Sequence, residues 1–218
     1  MNLRGAIKYF LFRDTTMKGE FRLMQKLAGA DCPRSFVDVG ASDGFYGSNS
    51  FPFAARGWHS LLIEPHPAAF QKLKRLHARR PQVSCLNLAC GETAQEQPLW
   101  FAADNPGGSR ATLCTDERML RRRGPDQAHQ MVRVERLDHI LAEQNMPRDF
   151  GILSIDTEGM DYEVLLGLDL AQWHPRVIVT EDYEPKNARK ADYLGKHGYR
   201  HAGQCVDNAM WVWSGARA

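Results

Sequence analysis

The chain has 218 residues, 43% of them apolar and 25% charged, and its 28 basic and 26 acidic side chains leave a formal net charge of +2. That length suffices to bury a full core as one α/β domain over residues 1–218, and no stretch approaches the roughly 20 apolar residues that a membrane span requires. The near-neutral balance selects no polyanionic partner, and the five cysteines, an odd number with no C-x-x-C pair and no preceding signal peptide, read as reduced thiols of a cytoplasmic protein.

Residues 3–12 repeat apolar positions at helical spacing (Leu3, Ile7, Phe10, Leu11), as do residues 18–29 (Phe21, Met24, Leu27, Ala28), which predicts a helical lead-in over residues 1–33 packed on a sheet. The first strand is predicted at residues 36–39, an apolar run that passes straight into Gly40-Ala41-Ser42-Asp43-Gly44. A helix through residues 48–56 must absorb Pro52, which costs about 3 kcal/mol in a helix interior, so it is expected to start late or kink. The second strand, residues 59–64, ends on Glu64, and Pro67 opens a helix that stops before Pro81. A third strand over residues 83–90 ends at Ala89-Cys90-Gly91, with Cys85 and Cys90 expected in the core.

From residue 92 to 136 an insertion interrupts the alternating pattern: a short strand at 98–103, a turn at Asn105-Pro106-Gly107-Gly108, a charged stretch, and a second strand at 131–136. Insertions of this kind supply substrate-facing walls. Trp100 and Phe101 fall on opposite faces of such a strand, so at most one of them can line a pocket, while Arg121-Arg122-Arg123 reads as a solvated helix face or as a contact for an anionic group. Asp138 is expected to cap a helix over residues 138–144. The fourth strand, residues 152–155, runs into Asp156-Thr157-Glu158-Gly159, and the fifth, residues 177–180, into Glu181-Asp182. A closing hairpin pairs residues 199–204 with 209–213 through Asp207-Asn208.

The order of glycines indicates the ligand. A dinucleotide loop is G-x-G-x-x-G and seats a pyrophosphate on a helix N-terminus, whereas here the pattern is D-x-G-x-x-x-G-x-x-G from Asp38 to Gly47. Asp38 and Asp43 would face that anion, and an acidic loop instead suits a sulfonium and an α-amino group, as in S-adenosylmethionine. Glu64, about 20 residues beyond the loop, stands where α/β folds place a carboxylate on ribose hydroxyls. Acids after strands one, two, four and five converge on one rim of the sheet, where ligands bind. A nicotinamide-dependent dehydrogenase and a non-catalytic binding protein are the alternatives from other classes.

The set Phe36-Val37-Asp38-Val39-Gly40-Ala41 with Gly44, Ile63-Glu64-Pro65-His66-Pro67, Leu137-Asp138-His139-Ile140-Leu141 and Ile155-Asp156-Thr157-Glu158-Gly159-Met160-Asp161 resembles the FkbM-type S-adenosylmethionine-dependent methyltransferases. The resemblance implies a class I methyltransferase fold, Rossmann-like α/β with a mostly parallel central sheet and flanking helices, and O-methylation of a hydroxyl on a carbohydrate or natural product. It also implies that Asp38, Gly40, Ala41 and Gly44 surround the methionine part of the donor, that Glu64 beside Pro65 holds the ribose, and that Ala89 and Cys90 lie by the adenine; Ser42 and Asp43, in the same loop, are expected to bind the cofactor as well. Asp156 stands at a donor-facing or catalytic position, with Glu158 and Asp182 near it; Glu158 is equally readable as an acid complementing the dipole of a helix over residues 160–168. Ser42 replaces the family's usual Asn and Ser154 its frequent Lys, so neither family role transfers. A divalent metal among the rim acids is a second route, less favoured than a metal-free base because the cluster lacks histidine. An RNA or protein acceptor is the alternative to a sugar, and the weak net charge counts against nucleic acid.

Overall fold

A computed structural model describes residues 14–105, 110–121, 124–182 and 188–215. The helix expected over residues 3–12, most of the turn after Asn105, and Arg122 and Arg123 lie outside the described residues. The first described helix, α1 (Glu20–Ala28), buries Phe21, Met24 and Ala28 at helical spacing against the sheet.

The sheet is built from runs dictated by their apolar content. β1 (Ser35–Val39) is buried at all five positions, and β7 (Ile152–Ile155) and β8 (Val177–Glu181) are buried throughout, as central strands covered on both faces must be. With β2 (His59–Ile63), β3 (Val83–Leu86), β9 (Tyr199–Cys205) and β10 (Asn208–Trp213) they form one seven-stranded sheet in the order β3-β2-β1-β7-β8-β10-β9. Only β10 runs antiparallel to its neighbours. Strand alternation sends Val37 and Val39 to one core, with Ile155, Leu141 and Val164, and Phe36 to the other, with Phe21 and Phe53. The helix expected to start late does so: α2 (Phe51–Ala54) begins beside Pro52, which sits in its first turn where a missing N–H costs nothing. α3 (Pro67–His77) opens on its proline as expected.

Several boundaries differ from expectation; the two insertion strands begin earlier, at Gln95 and Gln127, and the helix expected over residues 160–168 is confined to Asp161–Leu166. The run 83–90 is two strands: β3 joins the main sheet, whereas β4 (Ala89–Cys90) pairs with β6 (Gln127–Glu135) in a separate three-stranded sheet completed by β5 (Gln95–Ala102). The break falls at Asn87, whose Nδ2 donates to the carbonyls of Glu64 and Pro65 at 2.8 and 2.9 Å and turns the chain out of the main sheet. Cys90 is therefore buried and Cys85 only half-buried, in different sheets. The closing hairpin turns at Val206 and Asp207, one residue early, with Val206 in the left-handed region at φ 52°. Asp138 caps nothing: α5 (Leu137–Glu143) starts before it, and its carboxylate instead accepts from Arg136 Nη2 at 2.6 Å and Nε at 3.1 Å. α4 (Glu117–Arg121) carries an exposed pair between Arg121 and Glu117 at 2.9 Å. α6 (Asp161–Leu166) and α7 (Ala188–Lys196) complete the helices. Among the described residues no helix is long and apolar enough to cross a membrane.

Candidate active site

Register assembles the site. Val39 pairs with Ile63 on one side and Ile155 on the other, and Ile155 pairs with Thr180, so these four ends are level. The next residue on each strand is Gly40, Glu64, Asp156 and Glu181. From β1 the chain winds outward through β2 to β3 and later returns to the other side of β1 at β7, and the crevice at that reversal of direction is where open α/β sheets bind ligands. The crevice is lined by Gly40, Ser42, Glu64, Pro65, Ala89, Cys90, Asp156 and Glu158 among the residues expected from the sequence.

Gly40 makes the closest approach in the site. Its φ is 89°, and a Cβ there would lie 1.9 Å from the Asp156 carbonyl oxygen, so the backbones of the first and fourth core strand ends meet without a side chain between them. The Asp156 N–H donates to the Val39 carbonyl at 3.0 Å and holds that contact. Gly44 serves differently: its φ is 77°, and a Cβ would meet Leu73 Cδ1 of α3 at 2.4 Å, so the space it leaves is filled by the core rather than by a ligand. Ala41 packs in the same small core with Leu62 and Leu73.

Glu64 is 5% exposed. Its Oε2 accepts from the Ser42 N–H at 2.8 Å and its Oε1 from the His66 N–H at 2.7 Å, which orients the carboxylate and leaves each oxygen a lone pair for a ribose hydroxyl. Burial pushes its pKa up to about 7, against the pull of those two bonds and with a further push from the Asp38 charge. Ser42 adopts a left-handed φ of 51° to place its N–H there. Asp38, on the opposite face of β1 from Val39, does not line the crevice; its Oδ2 accepts from Ser50 Oγ at 2.5 Å beneath the loop, and burial lifts it to about 6. Asp43 also lies outside the lining, folding the loop by accepting from the N–H groups of Phe45 and Tyr46 at 2.9 and 3.2 Å.

On the fourth strand end, burial raises the Asp156 pKa well above the usual carboxylate range, and the charges of Asp161, Glu158, Asp38 and Asp207 push it the same way. Glu158 sits beside it with φ 55°, and its carbonyl accepts from Thr112 Oγ1 at 2.9 Å, which ties the insertion to this loop. The first-turn acids of α6 are Asp161 and Glu163, not Glu158. Asp161 accepts from Thr157 Oγ1 at 2.6 Å and from the Glu181 N–H at 2.7 Å, with the Lys190 ammonium 3.8 Å away, so it is a buried brace joining two strand ends. The motif holds Thr157 but not the partners that make Asp161 a brace between strands, because Glu181 and Lys190 come from 20 and 29 positions away. Carboxylate oxygens of Asp156, Glu158 and Glu181 lie within 4.8 Å of one another, an oxygen set that a hard divalent cation accepts. Asp182 lies outside the lining, its N–H bonded to the Asp207 carbonyl at 2.5 Å.

The insertion closes the crevice through Leu99, Arg110, Ala111, Thr112 and Leu113. Neither Trp100 nor Phe101 reaches it: Trp100 packs on His129 at 4.5 Å and Phe101 on His66 at 4.8 Å. His66, two residues beyond Glu64, is buried behind the wall and outside the lining, and burial lowers its pKa.

Fold and crevice together define a class I methyltransferase. Solved structures agree on the fold: a methyltransferase FkbM from Methylobacillus flagellatus KT superposes with a TM-score of 0.53 at 15% identity, covering 83% of this chain and 44% of that one. A precorrin-6y C5,15-methyltransferase from Geobacter metallireducens does so at 0.50 and 14%, covering 92% and 91%. The chain belongs to the FkbM methyltransferase family: the methyltransferase FkbM domain matches residues 38–201. It is 30% identical over 182 residues to the methyltransferase sdnD of Sordaria araneosa, covering 70% of this chain and 68% of that protein. Membership implies S-adenosylmethionine as methyl donor, and the oriented, buried Glu64 carboxylate with free lone pairs fits its ribose.

Proposed function

We propose that the protein methylates a hydroxyl of a carbohydrate or glycosylated small molecule, with Asp156 as the base. The observation that carries this reading is an acid of raised pKa at the floor of the crevice, where the donor side of the main sheet meets the inserted wall. Bound S-adenosylmethionine supplies an electrophilic methyl group on a cationic sulfur. Glu64 orients the ribose, and the Gly40 contact brings the donor loop against Asp156. Asp156 accepts the hydroxyl proton, for which a carboxylate made more basic by burial and neighbouring charge is suited, and general base action of this kind contributes about a hundred- to ten-thousand-fold. Leu99, Leu113 and Met160 give the crevice an apolar side that excludes water.

The test is an acceptor panel of nucleotide sugars, polysaccharide fragments, RNA and peptides, scored by release of S-adenosylhomocysteine. Turnover of a sugar, lost by about a hundredfold or more in Asp156→Asn, is expected. Turnover confined to RNA or peptide refutes the carbohydrate acceptor.

A further inference from the structure

Arg110 is the only lysine or arginine among the described residues lining the crevice. It is exposed there and forms no ion pair with any described residue. Its φ is 66°, a left-handed conformation that glycine or asparagine adopts more cheaply. Two residues on, Thr112 exchanges backbone bonds with Trp100 at 2.8 and 2.9 Å, and its Oγ1 donates to the Glu158 carbonyl. The guanidinium is thus carried on a segment pinned both to β5 and to the loop that bears Asp156, across a crevice whose other charged lining residues, Glu64, Asp156 and Glu158, are all acids.

We propose that Arg110 determines acceptor specificity by binding an oxyanion, a carboxylate or a phosphate, so that the substrate is an acidic sugar and not a neutral one. This rests on the carbohydrate reading above. The planar guanidinium matches either oxyanion with two parallel hydrogen bonds, which an ammonium cannot do. The donor's sulfonium and α-amino group, less its carboxylate, leave it one net positive charge, so donor and Arg110 together offset part of the charge of the three crevice acids where an anionic acceptor would sit.

The experiment compares glucuronate, glucose 6-phosphate and UDP-glucose with glucose and methyl glucoside as acceptors, in the wild type, Arg110→Gly and Arg110→Lys. Glycine suits the left-handed backbone, so Arg110→Gly removes the guanidinium without endangering the fold. At least one acidic sugar is expected to exceed the neutral sugars tenfold or more in kcat/KM. Arg110→Gly should collapse that ratio through KM, Arg110→Lys should restore it only in part, and S-adenosylhomocysteine affinity by calorimetry should stay within twofold. The two acidic arms, carboxylate against phosphate, identify the oxyanion. Preference for neutral sugars, an unchanged ratio in Arg110→Gly, or a tenfold loss of S-adenosylhomocysteine affinity, which would assign Arg110 to the donor's carboxylate, overturns the proposal. If no sugar is methylated the carbohydrate reading fails, and the proposal is still decided by calorimetry of inorganic pyrophosphate with the S-adenosylhomocysteine complex: binding lost in Arg110→Gly supports an oxyanion site, and no binding to the wild type overturns it.

Discussion

Gly40→Ala places a methyl carbon 1.9 Å from the Asp156 carbonyl oxygen, and both partners are backbone, so no rotamer change relieves the overlap. The two strand ends must separate by more than about 1 Å to reach an ordinary contact distance. Separation sacrifices the bond from the Asp156 N–H to the Val39 carbonyl, worth about 1 kcal/mol, and a left-handed alanine at this φ adds about 1–3 kcal/mol. The expected loss is therefore about 2–4 kcal/mol of stability by chemical denaturation. Because the same movement displaces Gly40 and Asp156 within the crevice, S-adenosylhomocysteine affinity should fall at least tenfold in calorimetry. Gly44→Ala is the control: it has the same backbone penalty, but the obstructing atom is Leu73 Cδ1, the end of a flexible side chain. It should lose about 1–3 kcal/mol of stability while keeping ligand affinity within about threefold, because no lining atom need move. Wild-type affinity in Gly40→Ala, or equal damage to affinity from both variants, would refute the assignment of the crevice to the Gly40–Asp156 junction.

Glu64→Gln presents an amide NH₂ to one of the two backbone N–H groups that now donate to the carboxylate, and it weakens the acceptor pair for the ribose; a tenfold or greater loss of donor affinity is expected, and a loss below twofold would move the ribose elsewhere. In the ligand-free protein Glu64 and Asp38 hold protons that the unfolded chain has released, so stability should fall as pH rises from about 4 to about 7 and level off above, with Glu64 alone contributing about 3 kcal/mol if it ionises in place. Donor hydroxyls favour the charged carboxylate, so affinity should rise between pH 6 and 8 with release of a proton, measured as a buffer-dependent heat; an affinity flat over that range contradicts the role given to Glu64. Activity should survive excess EDTA, whereas loss restored by magnesium or manganese would assign Asp156, Glu158 and Glu181 to a cation.

The main sheet is legible in the sequence because its strands are unbroken apolar runs ended by an acid or glycine, and residues 152–155 are read at their observed bounds. The split of residues 83–90 is not legible, since Asn87 ends the strand through carbonyls of Glu64 and Pro65, more than 20 positions away. Glycine signals carry the same limit. Both Gly40 and Gly44 announce a left-handed turn, but what occupies the missing side chain's place, a backbone carbonyl in one case and Leu73 in the other, is a property of the packed chain. Acids are read as a cluster on one rim, while the division of labour within it, with Asp161 as brace and Asp156 at the floor, depends on which neighbours arrive from β8 and α7.

The crevice has two walls of different origin. Gly40, Glu64 and Asp156 extend strands of the seven-stranded sheet, whereas Leu99 and the Arg110 to Leu113 stretch belong to the small sheet and the segment bridged to it, fastened by a β4 of two residues and a hydroxyl from Thr112. Changes in the second wall leave the level ends of β1, β2 and β7 in place. Such a layout behaves like a fixed chuck with an exchangeable jaw: exchanging residues between β4 and α5 would alter what is gripped while leaving the cofactor side of the tool intact.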